Sequence, residues 1–254
     1  MIDPLEVKSK RHFMAHQKLL LTSSGITNDT IRQTLTKLLG KPIGESSALF
    51  IPTAIYAYPV GIAEGWQVMK AQGEMGWKTL GVLELSALPS LPKALWLPQL
   101  ERADALIVGG GNKFYLSYWM EQSGLFDLLP DLLKQGKTYV GISAGSMMLT
   151  AGLYFDHAHF SKTGIYRDTE YDEVMPSSAG RAKTLGIVDF VIRPHMGADY
   201  FRQATFEHAE QWAMKTENPL YALDDQSAVT VVDGSVHVVS EGQWKLFDKQ
   251  PPGG

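Results

Sequence analysis

The chain has 254 residues, 44% of them hydrophobic and 20% charged, with a formal net charge of −4. That composition excludes a disordered polymer, and with no basic run beyond residues 8–11 it carries no footprint of a general nucleic-acid binder. The absence of cysteine removes disulfides, thiolate metal sites and a cysteine nucleophile together, and no apolar run reaches the ~18–20 residues of a membrane span.

Residues 1–16 are polar and mixed in charge, without the apolar centre of a signal peptide. They are expected to lie outside the fold, and the protein is expected to be cytoplasmic. The first strand is predicted at Lys18–Thr22, closed by Ser-Ser-Gly. A helix follows over 28–39, with Thr27 or Asn28 as its cap and Gly40 as its end. A buried strand at 48–51 stops at Pro52, a helix spans 59–75, and a third strand covers 79–85. The proline-rich stretch 88–98 reads as a loop or a broken helix.

Ala105–Val108 is the fourth strand and runs directly into Gly109-Gly110-Gly111-Asn112. Helices are predicted at 113–120 and 125–135, then a fifth strand at 139–142 that ends on Ser143. The stretch 154–181 is long, polar and aromatic without a clear period, which in a compact domain marks a functional or mobile loop. A strand at 188–192, a helix at 200–215 and short strands at 220–223, 229–232 and 236–240 complete the pattern, with Asp233-Gly234 as a hairpin turn. Residues 249–254 read as a loose tail. Strands alternating with helices predict an α/β fold: one domain over 17–248 with a doubly wound, mostly parallel sheet and helices on both faces.

Gly141-Ile142-Ser143-Ala144-Gly145 fits G-x-S-x-G. A serine on a sharp strand-to-helix turn needs small neighbours so that the chain can fold back, expose the hydroxyl and aim backbone N–H groups at one point. The plain alternative is a tight turn with no chemistry. A nucleophilic serine needs a base and a group to orient that base. Of the seven histidines, His12 and His16 lie in the leader, His208 sits among glutamates on a helix, His237 alternates in a hairpin, and His157 and His159 fall in the long loop. His195 follows a strand at the edge where open parallel sheets bind ligands, and is the candidate base. Asp225, with Asp224 in reserve, follows a short strand and is the candidate orienting acid. The order Ser…His…Asp differs from the Ser…Asp…His order of α/β-hydrolases. The glycine run lacks both the dinucleotide and the P-loop spacing. It suits one oxyanion donor, at Gly110, with the amide of Ala144 as the second; one such donor contributes about 3–4 kcal/mol to a transition state.

Together, the runs Ile107 to Asn112, Gly141 to Gly145 and Arg193-Pro194-His195, at these separations, resemble the dipeptidase E family (aspartyl dipeptidases, peptidase family S51), which also includes cyanophycinases. The resemblance extends from about Leu19 to about Val239. It implies a class I glutamine amidotransferase-like (flavodoxin-like) fold with serine in place of the nucleophilic cysteine. It implies removal of an N-terminal aspartate from dipeptides, without metal or other cofactor, through Ser143, His195 and Asp225 with oxyanion donors at Gly110 and Ala144. Basic groups would hold the aspartyl carboxylate. Arg202 is the nearest candidate, with Asn112 as a second substrate contact and Arg167, Arg181 and Lys162 as further options. The expected partner is a small peptide, with no nucleic acid and no membrane, and the expected state is a monomer or small homo-oligomer. The competing readings are a cyanophycinase-like β-aspartyl peptidase and a non-catalytic, amidotransferase-like binding module.

Overall fold

The computed structural model describes residues 17–57, 59–153, 166–168, 173–175 and 182–248. The expected leader, the expected tail, His157, His159, Lys162 and Arg181 lie outside these residues. In chain order the first half runs β1 (Lys18–Thr22), α1 (Asp29–Leu39), β2 (Ser47–Ile51), α2 (Pro59–Gly73), β3 (Thr79–Val82), α3 (Lys93–Arg102), β4 (Ala105–Val108), α4 (Lys113–Gln122), α5 (Leu125–Lys134), β5 (Thr138–Ile142) and α6 (Ala144–Met147). The remainder comprises β6 (Tyr166–Asp168), β7 (Glu173–Met175), β8 (Val191–Arg193), α7 (Phe206–Ala213), β9 (Leu220–Leu223), β10 (Ser227–Val232), β11 (Ser235–Ser240) and β12 (Trp244–Phe247).

Seven strands form one sheet in the order β11-β10-β1-β5-β4-β2-β3, parallel from β1 to β3 and antiparallel at β10 and β11. Strand side chains alternate between faces, and the central strands are apolar on both. Leu19, Leu21, Ile51, Leu106, Val108 and Tyr139 pack on one side with α3, α4 and α5. Leu20, Phe50, Ala105, Ile107 and Val140 pack on the other with α1 and α2. Burying each of the larger of these side chains contributes about 1.5–3 kcal/mol. Asn28, not Thr27, caps α1: its Oδ1 accepts from the N–H of Ile31 at 2.9 Å, and Gly40 ends the helix in the left-handed conformation at φ 72°. No helix among the described residues is long and apolar enough to cross a membrane.

The structure departs from the sequence reading mainly in the C-terminal third. The strand expected at 188–192 is β8 at Val191–Arg193. It belongs to a separate three-stranded sheet, β12-β9-β8, parallel to β9. β12 had no counterpart in the sequence reading, and β6 and β7 pair as a short antiparallel ribbon inside the stretch read as a loop. The helix expected at 200–215 begins only at Phe206, because the Thr205 side chain caps it by accepting from the N–H of His208. The stretch 88–98 resolves into a 3₁₀ turn at Leu85–Ser90 and then α3, which tolerates Pro98 because Trp96 and Leu100 anchor it in the core.

Candidate active site

Ser143 stands directly after β5, at the C-terminal edge of the seven-stranded sheet. Its φ of 50° and ψ of −111° lie where a side chain is strained. The elbow is closed by hydrogen bonds around it. The Ser143 N–H donates to Thr22 O at 3.1 Å, and Ser143 O accepts from Ser146 N and Met147 N at 2.9 and 3.1 Å. A Cβ on Gly145 would sit 2.0 Å from Val108 O, so only glycine lets α6 turn back against β4. The buried Tyr139 hydroxyl donates to Gly145 O at 2.6 Å, and burial pushes its pKa up, so it stays a donor. From the neighbouring strand end, Gly110 approaches so closely that a Cβ there would lie 3.1 Å from Ser143 Cβ. Ala144 opens α6, so its amide has no acceptor within that helix. Both residues line the cavity beside Ser143.

His195 follows β8 by two residues, and its φ of 66° is again left-handed. Its backbone N–H donates to Ser23 Oγ at 2.8 Å, fixing that turn to the end of β1. The imidazole Nε2 lies 2.8 Å from Ser143 Oγ, and Nδ1 lies 2.7 Å from Asp225 Oδ1. A carboxylate only accepts, so Nδ1 carries the proton and Nε2 is left to accept from the serine. Asp225 sits in the turn from β9 into β10. That turn reaches the same sheet edge because β10 runs antiparallel to β1, pairing Ala228 with Thr22. Ser23 Oγ donates to Asp225 Oδ1 at 3.1 Å, and the Tyr200 hydroxyl donates to Oδ2. Burial works to raise the Asp225 pKa, but the hydrogen bond and charge of His195 and the donations from Tyr200 and Ser23 carry it below the ordinary carboxylate value.

Asp224 plays a different part. Its Oδ1 accepts from Gln226 N at 3.0 Å and Ser227 Oγ at 2.6 Å, and its Oδ2 accepts from Gln243 N at 2.5 Å. It therefore ties the β9–β10 turn to the connection before β12, and Asp225 is the carboxylate that faces the ring.

The dyad opens into a cavity of about 470 Å³, walled largely by Ile55, Val68, Ile142, Met147 and Phe201. Of the two residues read as substrate contacts, neither lines it. Asn112 is fully buried, and its Oδ1 caps α4 by accepting from Phe114 N and Tyr115 N at 3.0 and 2.9 Å. Arg202 lies in the exposed turn before α7. Arg167 falls in β6. Lys113, the 3%-exposed first residue of α4, lies on the described cavity wall. Sequence reasoning missed Lys113, Ser23 and Tyr200. A signal was available only for Lys113, which directly follows the glycine run. Among the described residues no three His, Asp or Glu side chains gather as a metal set.

A serine hydroxyl, an imidazole and a carboxylate in line form the constellation that makes serine a nucleophile toward a carbonyl. The model of peptidase family S51 matches residues 19–239, and the chain belongs to that family. It is 30% identical over 129 residues to peptidase E of Escherichia coli, covering 50% of this chain and 52% of that protein. It is 25% identical over 133 residues to an uncharacterized peptidase of Listeria monocytogenes, covering 52% of this chain and 58% of that protein. The matches thus span little more than half the length of these curated relatives. The crystal structure of a peptidase from an acI-B1 actinobacterium superposes with a TM-score of 0.66 at 18% identity, over 94% of this chain and 93% of that one, and shares the fold.

Proposed function

We propose that the protein is a serine peptidase that hydrolyses dipeptides through an acyl-enzyme on Ser143. The observation that carries this reading is the unbroken relay, 2.8 Å from Ser143 Oγ to His195 Nε2 and 2.7 Å from Nδ1 to Asp225, opening into a cavity within the ~300–1,000 Å³ range of small-ligand sites. His195 takes the serine proton as Oγ attacks the peptide carbonyl. The amides of Gly110 and Ala144 hold the oxyanion, His195 passes its proton to the leaving amine, and water releases the acyl group. Asp225 holds the ring tautomer.

N-terminal aspartate is the preferred residue in this proposal. In this reading its carboxylate is met by Lys113, the lysine on the described cavity wall, in place of Arg202. The test is release of free amino acid from Asp-X, Glu-X, β-Asp-X and Ala-X dipeptides by wild type and Ser143→Ala, with and without a chelator. Asp-X cleavage that vanishes in Ser143→Ala and ignores the chelator is expected. Cleavage of β-Asp-X alone would move the substrate class, and a folded protein that cleaves none of the four would overturn the proposal.

A further inference from the structure

Tyr200 belongs to no motif, is 61% exposed, and lies five residues past His195 in the turn that the late start of α7 leaves open. Its hydroxyl nevertheless reaches the centre of the site. It donates to Asp225 Oδ2 and stands 3.0 Å from His195 Nδ1. Its ring meets the imidazole edge-on at 5.5 Å between centroids and leans on Phe201 at 5.1 Å, and both aromatic residues line the cavity. A phenol held at a surface by packing alone has no reason to point its oxygen at a carboxylate already engaged by a histidine and a serine.

We propose that Tyr200 is a positioning residue. It fixes the Asp225 carboxylate by Oδ2 so that Oδ1 faces His195 Nδ1, and it disperses the carboxylate charge that holds the ring proton. The inference rests on the relay acting as read above. Asp225 then receives three donors of different origin: Ser23 from the end of β1, His195 from the end of β8, and Tyr200 from the turn before α7. The first two fix Oδ1 and the third fixes Oδ2, which stops rotation about the Cβ–Cγ bond. The ionisable groups near the pair include Tyr200 itself, Asp224 in the same turn, Asp199 next to Tyr200 in the chain, Arg193 two residues before His195, and Lys113 on the cavity wall. Asp224 is occupied by its own turn.

The sign follows from the dominant contact. Without the phenolic donor, the Asp225 charge concentrates on the side of the ring, and the protonated imidazole persists to higher pH. Tyr200→Phe keeps the ring packing and removes only the hydroxyl. Its rate of Ser143 labelling by a fluorophosphonate probe is expected to fall about threefold to tenfold near neutrality, as befits one hydrogen bond. The acid limb of the pH–rate profile is expected to move to higher pH by about half a unit, with kcat for dipeptide cleavage reduced and KM unchanged. In an Asp225→Asn background the same substitution is expected to have no further effect on the profile.

An unmoved acid limb, a change confined to KM, or an equal effect with and without Asp225 would overturn the inference. If folded wild type takes up no probe at all, the peptidase reading fails. Proton NMR titration of the His195 ring in wild type and Tyr200→Phe then decides the matter for Tyr200 alone, a higher midpoint in the variant supporting it and an unchanged one refuting it.

Discussion

Ser143 and Gly110 stand at the ends of β5 and β4, strands in the middle of a seven-stranded sheet. His195 and Asp225 stand at the ends of β8 and β9, in a sheet of three. The first pair is set mainly by backbone: parallel ladders on both sides of β5, a serine forced to φ 50°, and glycines where a Cβ would collide with Val108 O or crowd Ser143, with the Tyr139 hydroxyl on Gly145 O as a side-chain tie. The second pair is set by side chains. Ser23 accepts the His195 N–H and donates to Asp225, Tyr200 holds the other carboxylate oxygen, and Asp224 ties down the turn. A backbone-built half has steep, all-or-none failure, because a steric collision allows no partial relief. A half built from side chains fails by degrees, one hydrogen bond at a time.

Substitutions should expose that contrast. Ser143→Ala removes the nucleophile and is expected to lower kcat by on the order of 10⁵-fold or more with the fold intact, measured by dipeptide turnover and circular dichroism. Gly145→Val drives its side chain into Val108 O and is expected to cost about 3 kcal/mol or more, read as a lowered denaturant midpoint together with lost activity. On the other side of the site, Asp225→Asn is expected to reduce kcat by about 10⁴-fold with only a small loss of stability. Asp224→Asn should reverse that pattern, with a stability loss of about 1–3 kcal/mol and a modest loss of rate. If the two aspartates exchange behaviours, the assignment of the relay is wrong. Ser23→Ala is expected to fall between them, with roughly tenfold lower kcat and unchanged KM.

The smallest effect is acidic. Asp225 is held below its ordinary pKa, so the stability it contributes is complete above the unfolded value near pH 4 and is lost as the pH falls through the lower folded value. Acid titration of the unfolding midpoint should therefore be steeper below about pH 4 in wild type than in Asp225→Asn.

The same contrast explains what could be read from the chain. The elbow and the glycine run were legible because a backbone that demands glycine writes the demand into the sequence at fixed spacing. His195 and Asp225 were legible because each follows a recognisable apolar strand, although the reading placed both on the main sheet. Asn112 was misread as a substrate contact. Asparagine between a glycine turn and a helix is placed to cap that helix, and the buried Asn112 side chain spends its Oδ1 on Phe114 N and Tyr115 N. Arg202 was chosen for nearness in sequence to His195, which the late cap at Thr205 makes irrelevant. β12 escaped notice because Trp244 and Lys245 are exposed and the period-2 signal is lost. Ser23 and Tyr200 act through tertiary hydrogen bonds spanning 172 and 25 residues, for which a lone serine in a turn and a lone tyrosine before a helix give no local sign.

The two halves meet to activate one serine. Intact-mass and peptide-mapping mass spectrometry after exposure to a fluorophosphonate tests this directly, in wild type, Ser143→Ala and His195→Gln. One adduct per chain on Ser143 is expected in wild type, none in Ser143→Ala, and labelling slowed by orders of magnitude in His195→Gln. An unlabelled wild type, or an adduct that persists at another residue when Ser143 is gone, would contradict it.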